Sequence, residues 1–156
     1  AKSKANLLQA VAAGVMIHVE SFREVDDLMD LALSGAGGPI RVAIRVNPNF
    51  EQKGSGMRMS GGPKPFGVDA ERVPELITKI RSGGLQFKGF HFFVGSQNLN
   101  ASVVAETQRK CLDLARELIE LTERTIRGEV TLLNLGGGIG RLHHLPHRHR
   151  TTAAFG

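Results

Sequence analysis

Gly89-Phe90-His91-Phe92-Phe93-Val94-Gly95-Ser96-Gln97 is an apolar run that stops abruptly in Gly-Ser-Gln. Read as a strand, it ends in a small, hydrogen-bonding loop. Parallel α/β folds gather their chemistry at such strand ends, because backbone and hydroxyl groups there face a common mouth. Two other strand ends share the character. Arg45-Val46-Asn47-Pro48 closes an apolar alternation, and Asn134-Leu135-Gly136-Gly137-Gly138 follows Val130-Thr131-Leu132-Leu133.

Working outward from these ends, period-two strands alternate with period-3.6 helices. Residues 4–13 read as a helix, followed by a strand at Val15-Met16-Ile17-His18-Val19-Glu20. Ser21 opens the next helix with a capping-box pattern, since Glu24 stands three positions later and can answer the Ser21 cap. Phe22, Val25, Leu28, Met29 and Ala32 give that helix an apolar face, and Gly35, Gly37 and Gly38 end it. A strand is predicted at 40–47, a long Gly/Ser/Met/Pro loop at 49–68, and a helix at 70–82 with Pro74 in its first turn, where the missing N–H matters least. A strand at 87–94, a helix at 101–126 and a strand at 130–135 complete the pattern. The regular alternation argues for parallel βαβ units. An open doubly wound sheet and part of a (β/α)8 barrel both satisfy it, although four strands cannot close a barrel.

Composition sets the outer limits. With 156 residues, 41% hydrophobic and 22% charged, the chain has enough apolar material for one core, in a single domain or part of a larger one. The single cysteine, Cys111, rules out an internal disulfide and falls within the apolar register of a helix, where it reads as a small buried side chain. No apolar run approaches the roughly 20 residues that span a bilayer, and no signal-peptide core is visible, so a soluble, cytoplasmic protein is expected. The net charge of +5 falls to +2 without Arg141, Arg148 and Arg150. The body is therefore nearly neutral, and no basic stripe with interleaved aromatics speaks for nucleic acid.

Residues 141–156 break the pattern. The run Arg141 to Arg150, RLHHLPHRHR, contains His143, His144, His147 and His149 with no helical or strand period. Four histidines so close have the chemistry for Zn²⁺ or Ni²⁺, but no acidic or thiolate partner is recognisable nearby. The run reads as a disordered or aberrant end without a physiological metal.

At the three strand ends the sequence resembles the fold-type III pyridoxal-phosphate decarboxylases, the diaminopimelate and ornithine decarboxylase group. The likeness is nearest to the decarboxylase-like proteins of exosortase systems. It rests on SGMRMSGGPKPFGVD at 55–69, GFHFFVGSQNL at 89–99 and LNLGGGIG at 133–140, and covers residues 1–140. The resemblance implies an alanine-racemase-like (β/α)8 barrel of which this chain holds about the fourth to seventh strands. The expected division is a partial cofactor-binding barrel at 1–140 and an atypical tail at 141–156.

The resemblance also implies roles. Gly136, Gly137 and Gly138 match the phosphate-binding glycine loop, where missing side chains let N–H groups approach an anion. Ser96 matches a serine near the cofactor, its alternative being a plain turn residue. Arg45 matches an arginine reaching toward the cofactor ring, its alternative being an ion pair inside the barrel. Phe93 stands where many members have a histidine that stacks on the ring. It keeps an aromatic face but neither donates a proton nor carries charge. His91, two residues earlier on the same strand face, is placed to compensate or to serve as a packed histidine.

Ser3-Lys4-Ala5-Asn6 mimics the element that carries the family's Schiff-base lysine. The following strand begins too soon for that register and ends in Val-Glu-Ser, so Lys4 reads as a solvated lysine at a helix start. The better register matches Ala1-Lys2-Ser3 to the Gly-Lys-Ser or Gly-Lys-Thr element after the third strand. No catalytic residue is therefore expected in this chain. The implied parent is a homodimeric amino-acid decarboxylase acting on diaminopimelate or a related amino acid through pyridoxal phosphate. This chain reads as a fragment inactive alone. A non-catalytic pyridoxal-phosphate or phosphate-binding module, and a self-associating partial barrel with open sheet edges, are the competing readings.

Overall fold

The computed structural model describes residues 2–50, 66–93, 100–122 and 130–136. Helix α1 (Lys4–Ala12) starts at Ser3, whose hydroxyl accepts the Asn6 N–H at 3.2 Å. Strand β1 (Ile17–Val19) leads into α2 (Phe22–Leu33), and β2 (Arg41–Asn47) follows. A two-residue strand β3 (Val68–Asp69), a single 3₁₀ turn (Ala70–Arg72) and α3 (Val73–Ser82) come next, with Pro74 in the first turn of α3. Strand β4 (Gln86–Phe92), α4 (Ala101–Leu121) and β5 (Leu132–Asn134) complete the order.

Every pairing among these strands is parallel, in the order β1-β2-β4-β5, with β3 added to the end of β2 at Val46 and Asn47. In register, Val19, Ile44, Phe90 and Leu133 share one face of the sheet. That face meets the helices: Leu7 and Val11 of α1, Val25 and Leu28 of α2, Leu76, Ile77 and Ile80 of α3, and Cys111, Leu114 and Leu118 of α4 join the strand residues in one buried cluster. The opposite face carries His18, Arg45, His91 and Asn134. Helices on one side and polar groups on the other decide between the two architectures left open by the sequence. This is a segment of a barrel wall, not a doubly wound sheet.

Four local details differ from the sequence reading. First, Ser21 Oγ accepts the Glu24 N–H at 3.2 Å, but the Glu24 carboxylate passes over Ser21 and takes the Glu20 N–H at 2.9 Å, so the expected capping box is only half formed. Second, α4 ends at Leu121, and residues 123–126 of the predicted helix lie outside the described residues. Thr122 leaves the helical region at ψ 74° and gives both its N–H and its hydroxyl to the Leu118 carbonyl. Third, β3 falls at the end of the expected 49–68 loop, whose residues 51–65 lie outside the described residues. Fourth, β4 carries a bulge, as its register against β2 slips by one residue between Val42 and Ala43.

The bulge has a structural consequence. Phe87 lies on the core side with Phe90 and Phe92, and its ring meets that of Phe90 edge-on at 5.3 Å. Without the extra residue, Phe87 would share a face with Gly89 and His91. Cys111 is fully buried in the core, and burial pushes its thiol up to about 11, in keeping with a packing residue.

Candidate functional site

Strand ends β1, β2 and β4 bring their polar residues to one mouth. Arg45 and His91 are direct neighbours in the β2–β4 register, and Asn134 is the neighbour of His91 on β5. The Arg45 guanidinium donates from Nη1 to Glu20 Oε1 at 2.6 Å. Its carbon lies 5.1 Å from the ring centre of Phe93 and 5.8 Å from that of Phe66, so two aromatic rings flank the cation. Burial pushes the Glu20 carboxyl up, but the hydrogen bond from Arg45 and the charges of Lys2 and Arg45 outweigh it. The carboxyl is held below its usual range.

Beneath this pair the rings of His18 and His91 lie 4.9 Å apart, tilted by 52°. Burial, His18 and Arg45 together bring the His91 imidazole down to about 4, and burial and Lys2 lower that of His18. Both rings are neutral at pH 7. His91 Nδ1 is buried and has no hydrogen-bond partner among the described residues.

At the far end of the mouth, Gly136 adopts φ 67° and directs its N–H to Asn134 Oδ1 at 2.9 Å. A Cβ there would approach the Phe92 carbonyl oxygen to 3.1 Å, so glycine lets β5 turn closely over the end of β4. Its N–H is thus engaged within the turn. Gly137, Gly138 and Ser96 lie outside the described residues.

The structure thus joins Arg45, His91 and Phe93, and sets Gly136 against the end of β4. The sequence reading missed Glu20, His18, Lys2 and Asn47. Lys2 Nζ lies 3.2 Å from Glu24 and 3.9 Å from Glu20, and Asn47 Nδ2 donates to Asp69 Oδ1 at 3.3 Å. One signal was available: His18 and Glu20 alternate on one face of β1, as Arg45 and Asn47 do on β2. Lys4 lies elsewhere. Its ammonium binds Asp30 at 3.2 Å and approaches Asp27 at 4.0 Å on helix α2.

Among the described residues, no group of three metal-ligating side chains comes together, and no helix is long and apolar enough to cross a membrane. The His-rich run at 141–150 lies outside them.

A flanked guanidinium, two neutral imidazoles and a glycine turn at strand ends suit a planar ligand with oxyanion groups. The known proteins that this chain resembles are decarboxylases. The chain is 33% identical over 143 residues to the L-glutamyl-[BtrI acyl-carrier protein] decarboxylase of Niallia circulans, covering 89% of this chain and 32% of that protein. It is 34% identical over 145 residues to the diaminopimelate decarboxylase of Aquifex aeolicus, with 89% and 32% covered. The crystal structure of diaminopimelate decarboxylase from Methanocaldococcus jannaschii in complex with L-lysine superposes with a TM-score of 0.72 at 26% identity, over 95% of this chain and 34% of that one. The chain thus spans about a third of the length of these relatives. The family model described as pyridoxal-dependent decarboxylase, pyridoxal binding domain, matches residues 1–153, and the chain belongs to that family.

Proposed function

We propose that this chain is the cofactor-facing part of a pyridoxal-phosphate-dependent amino-acid decarboxylase, with diaminopimelate as the first substrate to test, and that the 156 residues alone do not decarboxylate. The observation that carries the reading is the convergence of Arg45, His91 and Phe93 at one mouth beside the Gly136 turn. The relatives' names supply the substrate class.

The residues present fit the cofactor. Arg45 offers N–H groups from a fork held by Glu20, suited to a ring oxygen. His91 keeps a buried nitrogen without a partner among the described residues, and its neutrality lets the ring either accept or donate one hydrogen bond. Phe93 presents an aromatic face and, with Phe66, flanks the Arg45 guanidinium. Ser96, Gly137 and Gly138 are proposed as phosphate contacts beyond the Gly136 turn. When bound, pyridoxal phosphate supplies the electron sink for loss of an α-carboxylate.

Two features support an inactive isolated chain. At the mouth, Lys2 is engaged with Glu24 and Glu20, and Lys4 is turned to α2. Noncatalytic cofactor binding is then the reading for the chain by itself, and a homodimer of the whole protein the setting for catalysis. We assign residues 1–140 to the barrel and give the run from Arg141 no part in the site.

The test is a titration of the 156-residue chain with pyridoxal phosphate, followed by borohydride treatment, peptide mapping and an assay of carbon dioxide release from diaminopimelate. Saturable binding weakened by Arg45→Met, without a single modified lysine and without carbon dioxide, is the expected result. Modification confined to Lys4 together with turnover refutes the inactive reading. No saturable binding removes cofactor binding by the isolated chain.

A further inference from the structure

The Glu24 side chain is 2% exposed, yet it belongs to the first turn of a surface helix. A carboxylate buried to that degree persists only if its oxygens are satisfied. Glu24 Oε1 accepts the Lys2 N–H at 2.9 Å, while Oε2 accepts the Glu20 N–H at 2.9 Å and the Lys2 ammonium at 3.2 Å. Capping of α2 does not require this arrangement, because Ser21 already performs it. The carboxylate instead ties the segment before α1 to the end of β1.

The consequence passes to Glu20, whose carboxylate is held at both oxygens. Lys2 Nζ stands 3.9 Å from Oε2, and Arg45 Nη1 donates to Oε1 at 2.6 Å. Two cations and two carboxylates therefore form one row, Glu24–Lys2–Glu20–Arg45, with each lysine or arginine matched to its own acid. We infer that Glu24 is a positioning residue for Arg45: by holding the Lys2 ammonium and the Glu20 backbone, it reserves the Glu20 carboxylate for the guanidinium. Arg45 then keeps a fixed orientation between Phe66 and Phe93, with N–H groups available to a ligand oxyanion. The ligand part rests on the proposed function, whereas the positioning itself does not.

The mechanism makes a distinctive prediction. Neutralising Glu24 frees the Lys2 ammonium to compete for Glu20, so Arg45 loosens. Removing that ammonium as well restores Arg45, even though the buried backbone donors stay poorly satisfied. A merely structural Glu24 gives no such rescue.

The experiment follows the Arg45 Nε–H signal by NMR in the full chain, with the dissociation constant of pyridoxal 5′-phosphate measured alongside. In Glu24→Gln, exchange of the Arg45 Nε proton is expected to accelerate about tenfold, and the Glu24→Gln/Lys2→Met double variant to return within about threefold of wild type. Lys2→Met alone stays near wild type. An unchanged Arg45 signal in folded Glu24→Gln, or a loss not relieved in the double variant, overturns the inference. If Glu24→Gln does not fold, Glu24→Asp keeps the charge and shortens the reach. Faster Arg45 exchange there, relieved by Lys2→Met, supports the role, and no change refutes it. Arg45 coupling without any pyridoxal 5′-phosphate binding removes the proposed function and leaves the positioning role standing.

Discussion

His91 occupies a place where burial, a second imidazole and a guanidinium all oppose its protonation, with Glu20 pulling weakly the other way. Its folded-state value of about 4 lies below the ordinary 6.5, so between these limits the unfolded chain binds the proton more readily. Stability is then constant above about pH 6.5 and falls as the pH drops toward 4. At about 1.4 kcal/mol per unit the loss cannot exceed about 3.5 kcal/mol, and the ring's partial exposure makes it smaller. Urea denaturation at pH 7 and pH 4.5 checks this, with His91→Gln expected to flatten part of the difference; an equal pH dependence in that variant counts against His91 as the source. At this scale Arg45, His91 and Phe93 were legible because each stands at the end of an apolar strand. Glu20 was not, because its partner Arg45 lies 25 positions away and nothing local marks the pair. Glu24 was legible as a helix-start residue but not as the carboxylate that reaches past Ser21 to Glu20 and Lys2.

Among the elements, β4 departs most from a simple alternation. Its bulge is built around Gly89, at φ 146°, where a Cβ would stand 1.8 Å from the Leu132 carbonyl oxygen of β5. Backbone cannot yield as a flexible side chain can, so Gly89→Ala combines a strained dihedral with a clash across the strand pair. A destabilisation of more than about 2 kcal/mol is expected, or loss of the β4–β5 pairing. Thermal unfolding together with exchange at β5 distinguishes the two outcomes, and a variant as stable as wild type refutes this account of the bulge. The start of α2 was marked in the sequence by Ser21, and Ser3 and Asn100 accept first-turn N–H groups in the same way, whereas α3 begins at Val73 with no side-chain cap, three residues after the expected start. The end of α4 was not marked, because helical periodicity runs on past Leu121, where Thr122 leaves the helical region. The bulge did leave a trace: Phe87 and Phe90 stand three apart where Phe90 and Phe92 stand two apart, a break in alternation that the sequence reading passed over.

For the molecule as a whole, the alternation of elements made a parallel α/β architecture legible, and the distribution of polar groups over the two faces of the sheet then identified a barrel wall. That arrangement is uneven in strength. Strands β2 and β4 have neighbours on both sides and contribute Ile44, Phe90 and Phe92, all fully buried. Strand β5 has three residues, pairs with β4 alone among the described residues, and leaves Leu133 37% exposed on the face where its neighbours meet helices. Local opening is cheapest where few apolar contacts are lost and one ladder suffices to release the strand. Native-state hydrogen exchange should therefore show the β2 and β4 amides opening only with global unfolding, and the β5 amides opening at a free energy lower by at least about 2 kcal/mol. The same gradient predicts that denaturant added below the midpoint releases β5 before any change in the β2–β4 pair. Equal opening energies across β2, β4 and β5 would mean that the β5 edge is covered, either by chain beyond the described residues or by a second copy. Repeating the exchange at several protein concentrations separates these two, because a second copy raises β5 protection with concentration and covering chain does not.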